Sequence, residues 1–344
     1  MNIGNFIFDN SKVFVIAELS ANHNGSLEIA KETIAAAKRA GADAIKLQTY
    51  TPDTITLNSS REDFLIKDTI WKGKTLYDLY AEAYTPWEWH HELFREAKKH
   101  GLICFSSPFD HSAVDFLETL DVPAYKIASF EIADIPLIKY IASKKKPIII
   151  STGIACETDI ELAIDTCRKE GNDHIFLLQC TSSYPSEIKD ANLETLKYFK
   201  QKYNVRVGVS DHTLGDIVPC ASVALGAEII EKHFILDRSI GGPDASFSMT
   251  ELEFKLMVDR VRLTKSALGQ IVSNKTKEKN KIFSRSLYVV KELKKGEIFT
   301  TNHVRSIRPG YGLHPKHFFE IIGTRARKNF EIGDRLTLED LNVK

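Results

Sequence analysis

The chain has 344 residues, 43% of them hydrophobic and 27% charged, a balance that fits a soluble globular protein of two domains or one large barrel with an appendage. Lysine plus arginine equals aspartate plus glutamate at 46 each, which excludes a basic field for nucleic acid. No apolar run reaches the roughly 18 residues of a membrane span. The five cysteines form no CxxC, their odd number argues against a disulfide framework, and the N-terminus lacks a signal-peptide pattern, so a cytoplasmic setting is expected.

Along the chain, eight short apolar, β-rich runs recur: Phe14–Leu19, Ala44–Thr49, Ile103–Pro108, Ala124–Ser129, Pro147–Thr152, Ile175–Cys180, Arg206–Asp211 and Glu228–Phe234. They are nearly continuous in apolar character, as parallel strands covered by helices should be. Helical segments lie between most of them. Ser26 is positioned to cap one, and Thr85-Pro86-Trp87-Glu88 reads as a capping box with Gly101 closing that helix. Eight strand–helix units over roughly 250 residues predict an α/β fold, a closed (β/α)8 barrel of the TIM type. A doubly wound open sheet is the runner-up, and the GxGxxG it would carry for a nucleotide is absent. The connection after Thr49, which includes Arg61–Asp68, is long enough to lie over the barrel mouth. The polar run Asn274–Lys281 reads as a linker. The expected division is a barrel over 1–268, a linker over 269–283 and a small β-rich module over 284–344. In that module Lys295–Thr300 is echoed by Ile332–Thr337, each followed four residues on by an apolar position, Val304 or Leu341.

In such a barrel the strand C-termini converge on one face, and here they are polar. Lys46 and Lys126 each lie within an apolar strand, a costly place for an ammonium without an anionic partner. With hydroxyls at several strand ends, they describe a pocket for a phosphate-bearing acid. The alternative is a pair of buried ion pairs with carboxylates such as Glu18 and Glu231. His212 and His233 are one strand–helix–strand unit apart and should meet at neighbouring strand ends. Neutral imidazoles there suit a divalent metal with open positions for water and substrate, although either could be a core residue or an acid–base catalyst. His23, after the first strand, is a third candidate. His90 and His91 fall in a helix and read as surface residues.

The motifs Ala17-Glu18 with Asn22-His23-Asn24-Gly25, Ile45-Lys46-Leu47-Gln48-Thr49, Ser106-Ser107-Pro108-Phe109, Tyr125-Lys126-Ile127-Ala128-Ser129, Ile150-Ser151-Thr152-Gly153, Cys180-Thr181-Ser182-Ser183-Tyr184-Pro185, Ser210-Asp211-His212-Thr213 and Glu231-Lys232-His233-Phe234 run in one order along nearly the whole barrel. Together they resemble the sialic acid synthase family. The carboxyl module, with Ile307-Arg308-Pro309-Gly310, resembles the antifreeze-like (SAF) domain of that family.

The resemblance implies condensation of phosphoenolpyruvate with an N-acylated amino sugar. Lys46, Ser107, Lys126, Ser129, Ser151 and Ser210 would hold phosphoenolpyruvate. Ser182 stands where relatives have a longer asparagine. His212 and His233 would hold a divalent metal, Mn²⁺ first and Co²⁺ or Mg²⁺ as alternatives. Gln48, Glu131, Tyr184 and Asp244 would face the sugar, and Glu18, Glu231 and Asp244 are the candidate catalytic carboxylates. A homodimer is implied in which one subunit's antifreeze-like domain covers the other's barrel mouth, bringing Arg308 to the sugar. Gly241–Met249 resembles the pseudaminic acid branch of the family, and Phe130 departs from the glycine expected in its N-acetylneuraminate branch. Both suit a 6-deoxy sugar with a methyl where others carry a hydroxyl, 2,4-diacetamido-2,4,6-trideoxy-L-altrose. N-acetylneuraminate and legionaminate formation are the neighbouring alternatives. A saccharide-binding protein without catalysis is the alternative from another class.

Overall fold

The computed structural model describes residues 1–67, 71–269 and 280–341. Two compact units divide at Gly269/Gln270. In the first, β1 (Phe14–Glu18), β2 (Ala44–Thr49), β3 (Ile103–Pro108), β4 (Tyr125–Ile127), β5 (Ile148–Ser151), β6 (Ile175–Cys180), β7 (Arg206–Asp211) and β8 (Ile229–His233) are all parallel. They close in sequence order, with β8 pairing β1, so the architecture is the eight-stranded barrel expected. Helices α1 (Leu27–Arg39), α2 (Trp87–Lys99), α3 (His111–Thr119), α4 (Ile135–Ser143), α5 (Glu157–Lys169), α6 (Thr195–Tyr203), α7 (Ile217–Ala224) and α8 (Glu251–Leu268) follow the strands in turn.

Side chains alternate across each strand, and that period decides what fills the barrel. Toward the strand N-termini the inward positions are apolar. Phe14, Ile16, Ala44, Phe105, Ala124, Ile149, Phe176, Leu178 and Ile229 form one interior cluster, joined from below by Ile3 and Phe8. Continuing each strand by two residues reaches Glu18, Lys46, Ser107, Lys126, Ser151, Cys180 and Glu231, so the barrel interior turns polar toward its C-terminal end. Gly208 faces this interior on β7. A Cβ there would stand 2.4 Å from the Ile229 carbonyl oxygen and 2.7 Å from Leu178 Cδ2.

The helix caps agree with the sequence in part. Ser26 accepts the Ile29 N–H at 3.3 Å, and Asp110 accepts from Ala113 and Ser112 at 3.0 and 3.1 Å. The capping box at Thr85 does not form. Pro86 is the N-cap of α2, and Thr85 is buried with its hydroxyl 3.2 Å from His23 Nε2. His91 is exposed as expected, but His90 is buried: its Nδ1 meets the Pro86 carbonyl at 3.2 Å and its Nε2 lies 2.9 Å from the Thr49 hydroxyl. The connection after β2 contains a short helix at Pro52–Ile55, a 3-10 turn at Glu62–Phe64 and a helix at Leu76–Ala83. Asp68, the last residue of the segment singled out there, and most of the linker run Asn274–Lys281 lie outside the described residues.

In the second unit, β9 (Ser286–Val289) pairs antiparallel with β10 (Val304–Ile307). Its core gathers Leu287, Val289, Leu293, Phe299, Phe330 and Leu336. The echoed segments turn through Gly296 and Gly333 at φ 88° and 96°, and both Val304 and Leu341 are buried.

Candidate active site

Four charged side chains meet inside the barrel mouth. Lys46 Nζ lies 2.5 Å from Glu18 Oε2 and 3.6 Å from Glu231 Oε1, and Lys126 Nζ lies 3.0 Å from the same Glu231 oxygen. The Ser210 hydroxyl donates to Glu231 Oε1 at 3.0 Å, and Lys46 donates to Ser107 Oγ at 3.4 Å. All of these residues are buried. The sequence left open whether the lysines serve ion pairs or a phosphate pocket, and the geometry shows the ion pairs made. It also leaves Glu18 Oε1, Glu231 Oε2 and Ser151 Oγ buried with no hydrogen-bond partner. Orphaned polar atoms in so polar a chamber carry a cost that a bound polar ligand would relieve.

The two carboxylates are not equivalent. Burial pushes Glu18 up to about 7, against the opposing pull of Lys46. Burial acts on Glu231 as well, but Lys126 and Lys46 together overcome it and hold that carboxyl down at about 2. Glu131, on the turn after β4, is raised to about 7 by burial.

Ser129, Gly153 and Ser182 crowd one corner. The Ser129 hydroxyl accepts the Gly153 N–H at 3.1 Å. A Cβ on Gly153 would fall 2.1 Å from Ser182 Oγ and 2.8 Å from Ser129 Oγ, so only glycine leaves both hydroxyls their place. The shorter serine at 182 therefore still reaches the corner that Ser129 occupies.

The His212 and His233 rings are 5.2 Å apart. His212 Nδ1 donates to the Thr181 carbonyl at 3.0 Å, which leaves Nε2 with a lone pair. Burial lowers His233 well below the usual imidazole range, and His212, Lys46 and Lys126 add to that effect, so His233 is neutral. Its Nδ1 is buried without a hydrogen-bond partner, 3.6 Å from Asp244 Oδ2. Burial also opposes charge on His212, but Cys180, the Thr181 carbonyl and Asp211 outweigh it and favour a positive charge there. Two buried imidazoles with ring centroids 5.2 Å apart, in surroundings that favour positive charge at His212, are candidate donors for a divalent cation. Among the described residues no group of three or more His, Cys, Asp or Glu could hold a metal ion, so a cation here would have two protein donors and would need water and substrate for the rest.

The structure brings these two groups together because β8 pairs β1 in register, setting His233 beside Glu18. Asp244 joins them from the loop after β8, accepting the Ser20 hydroxyl at 2.5 Å. Gln48, one residue before the end of β2, lies on the same face as Lys46 and is half-buried. The Tyr184 ring lies against His212, tilted, with centroids 4.4 Å apart. His23 is buried, with Nε2 3.2 Å from the Thr85 hydroxyl and its ring edge-on to Trp89. Arg308 is exposed in the second unit. Phe130 is 60% exposed on the turn after Ser129.

Two contributors were not singled out from the sequence. Phe247 is buried with its ring 5.0 Å from His233 and 5.3 Å from Tyr184. Trp71 donates its indole N–H to the Pro243 carbonyl at 3.2 Å and lies 5.9 Å from Tyr184. Phe247 lies in the Gly241–Met249 segment, but nothing in its spacing shows that the loop folds back over the histidines.

The family model described as the NeuB family matches residues 33–273, and that described as the SAF domain matches 284–342. The chain is 52% identical over 342 residues, 99% of each chain, to pseudaminic acid synthase from Campylobacter jejuni subsp. jejuni serotype O:23/36. It is 48% identical over 95% of its length to pseudaminic acid synthase from Helicobacter pylori, covering 97% of that protein. Among solved structures, N-acetylneuraminic acid synthetase from Leptospira borgpetersenii, in complex with citrate, superposes with a TM-score of 0.73 at 31% identity, covering 81% of this chain and 94% of that one. Barrel order, a polar strand-end constellation and matches along nearly the full length agree, and the chain belongs to the NeuB family.

Proposed function

We propose that this enzyme condenses phosphoenolpyruvate with 2,4-diacetamido-2,4,6-trideoxy-L-altrose, giving pseudaminic acid and phosphate. The observation that carries the reading is the 52% identity to a pseudaminic acid synthase across 99% of both chains. The buried lysine–carboxylate cluster supplies the chemistry it needs.

Lys46 and Lys126 hold the anionic groups of phosphoenolpyruvate, exchanging contacts with Glu18 and Glu231 for contacts with the substrate. The hydroxyls of Ser107, Ser129, Ser151, Ser182 and Ser210 line the same chamber and donate to the phosphate and carboxylate oxygens. Gln48, Glu131, Tyr184 and Asp244 orient the open-chain sugar so that its aldehyde carbon faces C3 of phosphoenolpyruvate. Much of the acceleration comes from that positioning, because C3 is a weak nucleophile. Carbon–carbon bond formation leaves positive charge at C2, where water adds. Glu18, raised to about 7, takes the proton of that water, since Glu231 is held ionised by two ammonium groups and is the weaker base. The tetrahedral intermediate then breaks its C2–O bond and expels phosphate, whose charge Lys46 and Lys126 offset. A divalent cation held by His212 and His233, Mn²⁺ foremost with Co²⁺ or Mg²⁺ as alternatives, would supply Lewis-acid polarisation of the sugar aldehyde.

The working form on this reading is a cytoplasmic homodimer in which each antifreeze-like module covers the partner's barrel mouth and contributes Arg308. No described helix is long and apolar enough to cross a membrane. Mass spectrometry of products from a panel of N-acylated hexoses tests the substrate. Phosphoenolpyruvate carrying ¹⁸O at the C–O–P bridge tests the bond broken. The expected result is a pseudaminic acid mass from the trideoxy sugar and the label in phosphate. Label in the sugar product, or equal kcat/KM with N-acetylmannosamine, overturns the mechanism or the substrate respectively.

A further inference from the structure

The ladder between β7 and β8 ends where the two histidines begin. Its last register pair is Lys232 with Asp211, one residue short of His233 and His212. Beyond it, each histidine's main chain is held by a different loop. Ser186 N–H donates to the His212 carbonyl at 3.1 Å, and Met249 N–H donates to the His233 carbonyl at 2.9 Å. Among the described residues, no ladder bond beyond the Lys232–Asp211 pair joins the two strand ends directly, at the point where the imidazoles must keep their spacing.

Side-chain alternation gives Lys232 and Asp211 a different position from the site residues. Ser210 and Glu231 meet inside the barrel, so Asp211 and Lys232, one step along, point to its outer face. There the Lys232 ammonium, 1% exposed, donates to Asp211 Oδ2 at 2.6 Å and to the Thr213 carbonyl at 2.5 Å. The remaining Asp211 capacity goes to the same turn: Oδ1 accepts the Thr213 N–H at 2.9 Å and Oδ2 the Thr213 hydroxyl at 3.1 Å. The Asp211–Thr213 bonds straddle His212, and the Lys232 ammonium reaches the residues on both sides of it. A buried ion pair is a poor source of stability compared with an apolar pair of like volume, so its placement calls for another reason.

We propose that Lys232 and Asp211 form a positioning clamp that fastens the end of β7 to the end of β8 from outside the barrel and thereby sets the distance and ring orientation of His212 and His233 for a shared divalent cation. Neither clamp residue touches the cation or the substrates. The inference rests on the metal role given above to the two histidines. Outer groups that orient metal ligands alter affinity by about 10–100-fold when lost.

The test is Mn²⁺ titration, followed by electron paramagnetic resonance or calorimetry, on the full chain. The double variant Lys232→Met/Asp211→Asn removes both charges, so no lone buried charge remains to unfold the barrel. Thr213→Val, which removes one hydroxyl, serves as a milder second variant. The expected result is a Mn²⁺ Kd raised about tenfold or more in the double variant and by a smaller factor in Thr213→Val. Phosphoenolpyruvate affinity measured without metal should stay within about twofold of wild type, because Lys46 and Lys126 are untouched. Lys232→Arg, which keeps the charge but relocates the donors, should recover part of the Mn²⁺ affinity. Wild-type affinity for Mn²⁺ in a folded double variant overturns the clamp, as does a fall in melting temperature with no change in Kd. If the double variant does not fold, unchanged affinity in Thr213→Val and Lys232→Arg overturns it equally. Absence of Mn²⁺ binding by the wild-type protein would instead overturn the metal role of the histidines, and the clamp's proposed purpose with it.

Discussion

Glu18 and Glu231 are both buried carboxylates beside a lysine, yet they are held in opposite protonation preferences by the number of ammonium groups each one meets. The pH profile should show which one works. A base is active when ionised, so kcat/KM should fall as pH drops through about 7, the value to which burial raises Glu18. Glu18→Gln should lose about 10²–10⁴-fold in rate, and its residual activity should lack that acidic limb. Glu131 is raised to the same region by burial, so Glu131→Gln is the control: it should weaken sugar binding yet keep the limb. A limb that survives in Glu18→Gln and disappears in Glu131→Gln would reverse the assignment. At this scale much of the site was legible, because a lysine inside an apolar strand has few explanations and the period of two marks the faces. His90 shows where legibility stops. Its helix is amphipathic, but its burial depends on Thr49, 41 residues earlier in the chain, whose hydroxyl lies 2.9 Å from the imidazole.

Strands were easier to locate than the ends of helices. Four of the eight barrel strands carry the bounds expected from their apolar runs, and the other four end within two residues of them. Apolar continuity marks a doubly covered strand however its neighbours are arranged. A cap depends on one local torsion, and at Thr85 contact with His23 prevailed over the capping box. Elements also set the sharpest stability predictions. Gly208→Ala places a methyl against the Ile229 carbonyl inside the barrel and should cost at least about 1–3 kcal/mol, seen as a lower urea midpoint. Asp110→Ala removes two cap bonds from α3 and should cost about 1 kcal/mol with activity unchanged. Phe130→Gly should behave differently again. The ring is 60% exposed, so stability should move by little, while discrimination between the trideoxy sugar and N-acetylmannosamine narrows. If that ratio does not change, recognition of the methyl lies elsewhere, with buried Phe247 as the next residue to vary.

For the whole molecule, the chain divides into two compact units at Gly269/Gln270, and the echoed turns at Gly296 and Gly333 both fall in the second. Whether copies of the chain share a site, as proposed above, is not legible, because one sequence carries no record of which surface meets a second copy. Complementation addresses it. Arg308→Ala and the barrel variant Lys46→Ala should each be nearly inactive, and subunit exchange should restore part of the activity. Heterodimers that form without any recovery would exclude a shared site. The barrel's closure has a further consequence, one of timing. Because β8 seals against β1, Glu231 leaves the ribosome more than 200 residues after Glu18. At about 5–20 residues per second, Glu18 and Lys46 exist for about 10–40 s as part of a growing sheet with an open edge. During that interval the polar half of each strand keeps the nascent edge hydrated. On the function proposed above, the charges that would later meet a substrate would first help protect the unfinished chain from aggregation.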